Sequence, residues 1–261
     1  MKIFIITMDD PVQTNDFIKK IINKRKNDIV GLAIAKGGRL SIKKSHSKIN
    51  YLISLLLIMG PWHFIKNSVK TILFKIRKKL SCINLSHNPS ILAYAKKIGI
   101  KTFSIKTPND SKFLQEIADI HPDIIIHQSQ NILKKDILSI PLIGTLNRHN
   151  ALLPINRGRL TPFWVLFKGE KETGVSIHFV NEGIDSGDII VQEKYHVLPS
   201  DNFNSLVKKN YEIAPNAMLR ALDLLENGLD HFIPNNDNES TYNGIPRLRD
   251  AFIYRKKRLY K

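Results

Sequence analysis

The chain has a single cysteine, Cys82, in 261 residues. No internal disulfide and no thiolate metal cluster can form from one thiol, and a reducing compartment is the natural setting. No apolar run approaches the roughly 20 residues that span a bilayer. The opening "MKIFIITMDD" reaches acidic residues after a few apolar ones, unlike a secretory leader, so a cytoplasmic protein is expected. No Gly-rich fingerprint follows the first apolar run: its loop reads "TMDDPVQTND", which gives no support to a dinucleotide or P-loop phosphate site there. Internal repeats and low-complexity tracts are absent as well.

Acidic side chains are also scarce, with 23 against 40 basic ones and a formal charge of +17. An excess of this size favours an anionic partner without choosing among nucleic acid, an acidic membrane or a phosphorylated small molecule. The scarcity is local. No acidic residue lies between Asp28 and Asp110, and Lys36 to Leu80 carries eleven basic ones. Inside this stretch sit "YLISLLLIMGPWHFI" and the amphipathic "SVKTILFKIRKKL". Residues 47–79 therefore read either as an interfacial segment in peripheral contact with a membrane, at its inner face, or as a buried helix beside a solvated basic one. The C-terminal "YRKKRLYK" reads most simply as a solvated tail.

What is present is an alternation of strand and helix signals. "KIFIIT", "DIVGLAIA", "CINLS", "KTFSI" and "DIIIH" are short apolar runs suited to buried parallel strands, and helical spacing separates them. The fold class that follows is α/β, a Rossmann-like, mostly parallel sheet with helices on both faces. Residues 1–228 form the main domain, interrupted by a basic, apolar helical insertion at 36–80; residues 229–261 are a short extension. "GTLNRHN" reads as a strand and loop, "LTPFWVLFKG" as a short helix, and "TGVSIHFV" and "DIIVQEKYHV" as strands flanking "NEGIDSG". A long helix from about residue 204 to 226 closes the body, and "PNNDNESTYNGIP" is loop-like.

Ligands of open α/β sheets sit outside the carboxyl ends of the strands, which brings the "NRHN", "HQSQN" and "EGIDSGD" loops together. Those residue types suit transfer of an acyl group to an amine. The Asn147 amide donates to an oxyanion, His149 holds or moves a proton, and Asp185 orients the imidazole. Nothing near them resembles an activated nucleophile, so direct attack by the acceptor amine is the simpler scheme. The competing reading is a structural Asn-x-His with a distant carboxylate.

The ordered string from residue 144 to 192 resembles the core of the folate-dependent formyltransferases, which act on glycinamide ribonucleotide, methionyl-tRNA and amino sugars. It is carried by Asn147-x-His149, Leu153-Pro154, Arg157-Gly158, Pro162, Trp164, Gly169, Thr173-Gly174-Val175, His178 and Gly183-Ile184-Asp185-Ser186-Gly187. The resemblance implies a catalytic triad of Asn147, His149 and Asp185 that uses 10-formyltetrahydrofolate and no metal. It implies a folate site at Asn131, Ile132, Leu133, Gly183, Ile184 and Asp188, and acceptor contacts from Asn150 and Arg157, the latter holding a phosphate. Two departures stand out: Asn150 and Ala151 replace the family's usual Pro-Ser. His178 and Trp164 read as structural residues. The expected acceptor is a small-molecule amine, an amino sugar on a nucleotide or a lipid phosphate. The short stretch after residue 226 counts against tRNA; a homodimer is left open, as are a non-catalytic scaffold and hydrolysis of the donor.

Overall fold

The computed structural model describes residues 1–36, 47–80 and 89–259; the expected strand "CINLS" and Cys82 lie outside them. The chain opens with β1 (Ile3–Thr7), α1 (Thr14–Lys24) and β2 (Ile29–Ala35). The segment expected to be an insertion contributes α2 (Lys48–Met59) and α3 (Pro61–Leu80). There follow α4 (Ile91–Lys97), β3 (Thr102–Ile105), α5 (Ser111–Ala118), β4 (Ile124–Gln128), α6 (Lys135–Leu138) and β5 (Gly144–His149). Then come β6 (Arg157–Gly158), α7 (Thr161–Lys168), β7 (Glu172–Phe179), β8 (Ile189–His196), α8 (Phe203–Glu226), β9 (Tyr242–Asn243) and α9 (Leu248–Leu259).

Seven strands form one sheet in the order β3-β2-β1-β4-β5-β7-β8. The first five run parallel, and β7 and β8 are antiparallel additions. The expected mostly parallel architecture is what forms. Its cause is visible in β1, where every residue is buried and alternate side chains feed opposite faces. Ile3 and Ile5 join Phe17, Ile21, Ile91, Met218 and Leu222 on one side, covered by α1, α4 and α8. Phe4 and Ile6 join Phe113, Ile117 and Ile137 on the other, under α5 and α6. Helix entries are fixed by side-chain caps: Ser90 before α4, Asp110 before α5, and an Asn202–Ser205 capping box before α8.

A third apolar cluster joins the insertion to the chain's end. Ile58 of α2, Phe163 of α7, Phe203 of α8, and Ala251 and Tyr254 of α9 pack together, with the Phe163 and Tyr254 rings 5.3 Å apart. The basic C-terminal stretch is therefore not a solvated tail. Ala251 and Tyr254, three positions apart, give α9 a buried stripe that its charges mask in the sequence, and the Arg258 guanidinium donates to the Asp201 carbonyl. The loop-like stretch before it also finds partners: Ile233, just ahead of it, pairs with Ile189, and β9 within it runs parallel to β6. The expected apolar run in the insertion is broken at Gly60, whose φ of 80° suits a residue without Cβ. No single described helix is long and apolar enough to cross a membrane; α2 and α3 together have the length and composition but bend by 119°.

Candidate functional site

The chain builds outward on one side of β1 and then on the other, so the strand order reverses between β1 and β4. Such a reversal opens a crevice at the carboxyl ends. Asn147 and His149 stand two apart on β5 and so share a face. Across the antiparallel pair to β7, Asn147 faces His178 and His149 faces Ser176. The β7–β8 loop then folds back over this face and delivers Asp185.

Asp185 Oδ2 lies 3.4 Å from His149 Nδ1 and accepts the Gly158 N–H at 2.8 Å, while Oδ1 is 3.8 Å from His178 Nε2. Burial opposes a charge on this carboxyl, but His149, His178, the Gly158 amide and Arg157 outweigh it and hold it below the ordinary carboxylate range. His178 goes the other way: burial pushes it down to about 4, against the pull of Asp185, so it is neutral at neutral pH. Its Nδ1 meets the Phe179 carbonyl at 2.7 Å, which assigns the ring proton to that nitrogen. The other side of His149 is equally defined, because Nε2 meets the Asn156 carbonyl at 2.8 Å. The ring thus has an oxygen acceptor facing each nitrogen, which fixes its plane.

The Asn147 amide is oriented by a residue outside the expected set. Gln128, at the end of β4, donates Nε2 to Asn147 Oδ1 at 2.6 Å, which turns Nδ2 away as a donor. Gln128 is itself fixed, since its Oε1 accepts Arg148 Nε at 3.1 Å. Arg148 is buried; its guanidinium also donates to Asn150 Oδ1 and Tyr211 Oη and lies 4.2 Å from the Tyr211 ring centroid. Asn150, expected to touch the acceptor, spends its side-chain oxygen on this cation.

The chain's end supplies the remaining supports. Asn235 Nδ2 donates to the carbonyls of Asp185 and Gly187 at 2.9 and 2.8 Å. This holds Asp185 at φ 49°, a left-handed conformation that a residue with a Cβ adopts at a cost. Gly187 is required for a different reason: a Cβ there would lie 2.2 Å from the Phe179 carbonyl oxygen. Asn156, which faces His149, is anchored by Glu170, Lys168, Thr241 and Asn243.

The expected phosphate role of Arg157 meets a different geometry. Its guanidinium is buried against Asp237 Oδ1 at 2.6 Å and the backbone and side-chain oxygens of Asn235, so it braces the Asp185 loop instead. Among the expected folate residues, Leu133 packs into the core under α5 and α6, which takes its side chain out of the crevice. Ile132 and Ile184 are exposed, and Asn131 accepts from Ser129 Oγ. Gly183 lines a crevice of about 520 Å³ with Lys135, Leu138, Ser139, Val180, Asn181 and Glu182. Asp188 sits in a neighbouring hollow of about 320 Å³ with Ser186 and residues 234–238. The half-buried Trp164 donates its indole N–H to the Gly244 carbonyl and packs edge-on to Phe163 and Phe167, a structural placement. Of the supports that sequence reasoning missed, Gln128 alone had a signal: a polar residue ending an apolar strand inside the crevice. Arg148 and Asn235 had none.

Residues 72–222 match a family model described as Formyl transferase. This span contains Asn147, His149 and Asp185. A methionyl-tRNA formyltransferase of Syntrophus aciditrophicus is 36% identical over 145 residues, 55% of this chain and 46% of that protein. The chain spans about half the length of the curated relatives it matches. Among solved structures, the phosphoribosylglycinamide formyltransferase from Anaplasma phagocytophilum superposes with a TM-score of 0.59 at 15% identity, over 94% of this chain and 99% of that one. The N-formyltransferase from Helicobacter canadensis, solved with folinic acid and dTDP-3-aminofucose, gives 0.57 at 16% identity over 94% and 71%. At these identities the superpositions establish the fold.

Proposed function

The chain belongs to the formyl transferase family, and we propose that it moves a formyl group from 10-formyltetrahydrofolate to the primary amine of an amino sugar. The observation that carries the reading is the meeting of Asn147 and His149 from one strand with Asp185 from a loop, each group held by its own partners.

A donor site beside the Asp185 loop draws support from the open hollow that Gly183 lines with Leu138, Val180, Asn181 and Glu182, whose mixture of apolar and polar groups suits a flat heteroaromatic ring system. The donor supplies a formyl carbon open to attack by an amine, and the protein's part is positioning and charge. Asn147 Nδ2, turned outward by Gln128, donates to the carbonyl oxygen as negative charge grows there. His149, two residues along the same strand, is the group that holds or moves a proton, with Asp185 facing its Nδ1. Asn156 fixes the ring plane. No residue is asked to form a covalent bond to the formyl group.

The sugar acceptor draws support from the Helicobacter neighbour and its dTDP-3-aminofucose. A second reading, with methionyl-tRNA as acceptor, is favoured by the names of the curated relatives. One assay separates them: tetrahydrofolate release from 10-formyltetrahydrofolate with nucleotide-linked amino sugars, lipid-linked amino sugars and methionyl-tRNA offered in parallel. Turnover with an amino sugar is expected. Turnover with methionyl-tRNA alone would remove the sugar reading and keep the reaction, and amine-independent formate release would replace transfer with hydrolysis.

A further inference from the structure

We propose that α3 is a docking face for an anionic lipid bilayer, along which it lies without crossing. The helix has an inner and an outer side. Phe74 is buried, Lys78 Nζ pairs with Asp9 Oδ2 at 2.5 Å and Lys70 Nζ reaches the Val12 carbonyl, so the inner side rests on the loop after β1. The outer side carries Trp62, Ile65, Val69, Ile72, Leu73 and Ile76, all exposed, Trp62 at 72% and Ile72 at 56%. At 3.6 residues per turn these six positions fall within about 100° of arc. Lys66 borders the stripe on one side, and Lys75 and Lys79 on the other. No carboxylate interrupts it, because the sequence has none between Asp28 and Asp110.

An exposed apolar stripe of this length with cationic borders and a tryptophan at one end matches the interface of an acidic membrane: hydrocarbon below, lipid phosphates beside it. Other occupants fit less well. A nucleic acid would satisfy the lysines and leave six apolar side chains against phosphate and water. A second copy in a two-fold dimer would set the same lysines against one another with nothing acidic between them. Crossing is excluded for this pair as folded, since α2 is committed to the cluster with Phe163 and Tyr254 and turns away by 119°. The insertion leaves the sheet at the carboxyl end of β2 and is tied to the loop after β1. It therefore lies toward the same edge of the sheet as the end of β5 that carries His149.

The test reads binding and not turnover, so it stands apart from the formyl-transfer reading. The full chain is sedimented with phosphatidylcholine vesicles with and without phosphatidylglycerol, at low and high salt, and Trp62 emission is followed in a Trp164→Phe background. Binding that needs phosphatidylglycerol, weakens roughly tenfold or more at high salt and shifts Trp62 emission to the blue is expected. The exposed triple substitution Ile65→Asp, Ile72→Asp, Ile76→Asp should abolish it with an unchanged thermal melt. Indifference of the wild-type protein to anionic vesicles would overturn the proposal. So would a dimer in light scattering that the triple substitution dissolves, or tRNA binding that survives it while vesicle binding is absent.

Discussion

Asn235 is 50 positions from Asp185 in the chain, and replacing it by alanine should damage the proposed site from a distance. Its side chain makes three hydrogen bonds: two from Nδ2 to the carbonyls of Asp185 and Gly187, and one accepted by Oδ1 from Arg157 at 2.8 Å. At ~1 kcal/mol for each neutral bond and ~2 kcal/mol for the one to a guanidinium, the substitution should cost about 4 kcal/mol of folding stability. A urea titration followed by circular dichroism measures that. The kinetic consequence is more specific. Asp185 holds φ 49° at a cost of about 1 kcal/mol, and the two Nδ2 bonds oppose its relaxation. Once released, the carboxylate drifts from His149, and a shift of about 1 Å at a charge-bearing group costs up to roughly a hundredfold in kcat. KM for the acceptor should change little. The assay is initial-rate formyl transfer with Asn235→Ala and, as a control, Ser240→Ala on the same segment. If kcat survives while stability falls by the expected amount, Asn235 is structural only and the account of how Asp185 is positioned is wrong.

Acid should destabilise the protein through buried imidazoles. His127 and His178 are both pushed down to about 4 by burial, so the unfolded chain binds protons that the folded chain refuses. Stability is therefore fully present above about pH 6.5 and lost as the pH falls toward 4, by about 3 kcal/mol for one such group; unfolding titrations of His127→Asn should show a shallower pH dependence, and an unchanged slope would contradict it. Gly187→Ala should cost at least ~2 kcal/mol and most of the activity, because the new Cβ meets the Phe179 carbonyl oxygen at 2.2 Å; a melt and a rate measurement suffice. Tyr254→Ala should cost about 3 kcal/mol by emptying the cluster around Ile58 and Phe163, and limited proteolysis should then cut first in α2.

The parallel part of the sheet was legible because β1, β2 and β4 are short, largely apolar runs separated by helical spacing, which leaves a parallel arrangement as the economical packing. The three central groups were legible chiefly through the resemblance of residues 144–192 to the formyltransferase core; strand alternation puts Asn147 and His149 on one face, while a loop from the far end of antiparallel β7 has to fold back to bring Asp185 to them. What escaped reading depends on partners distant in the chain. Asn235 orients the Asp185 loop from 50 positions away through side-chain hydrogen bonds, which leave no periodic trace in a sequence. Arg157 looked available for phosphate because its partners, Asn235 and Asp237, lie some 80 residues away. The helix α9 was hidden by its charges: two buried positions among lysines and arginines resemble a solvated tail until Phe163 and Ile58 are placed beside them.

The central claim is that Asn147, His149 and Asp185 act together on a formyl group. It is tested most directly by following labelled formyl from 10-formyltetrahydrofolate into an amino-sugar nucleotide with the wild-type chain, Asn147→Ala, His149→Ala and Asp185→Asn, alongside folate binding by each. Transfer by the wild type, a loss of roughly a hundredfold or more in each variant and near-normal donor binding throughout are what the geometry predicts. Undiminished transfer in His149→Ala, or in Asp185→Asn, would contradict it.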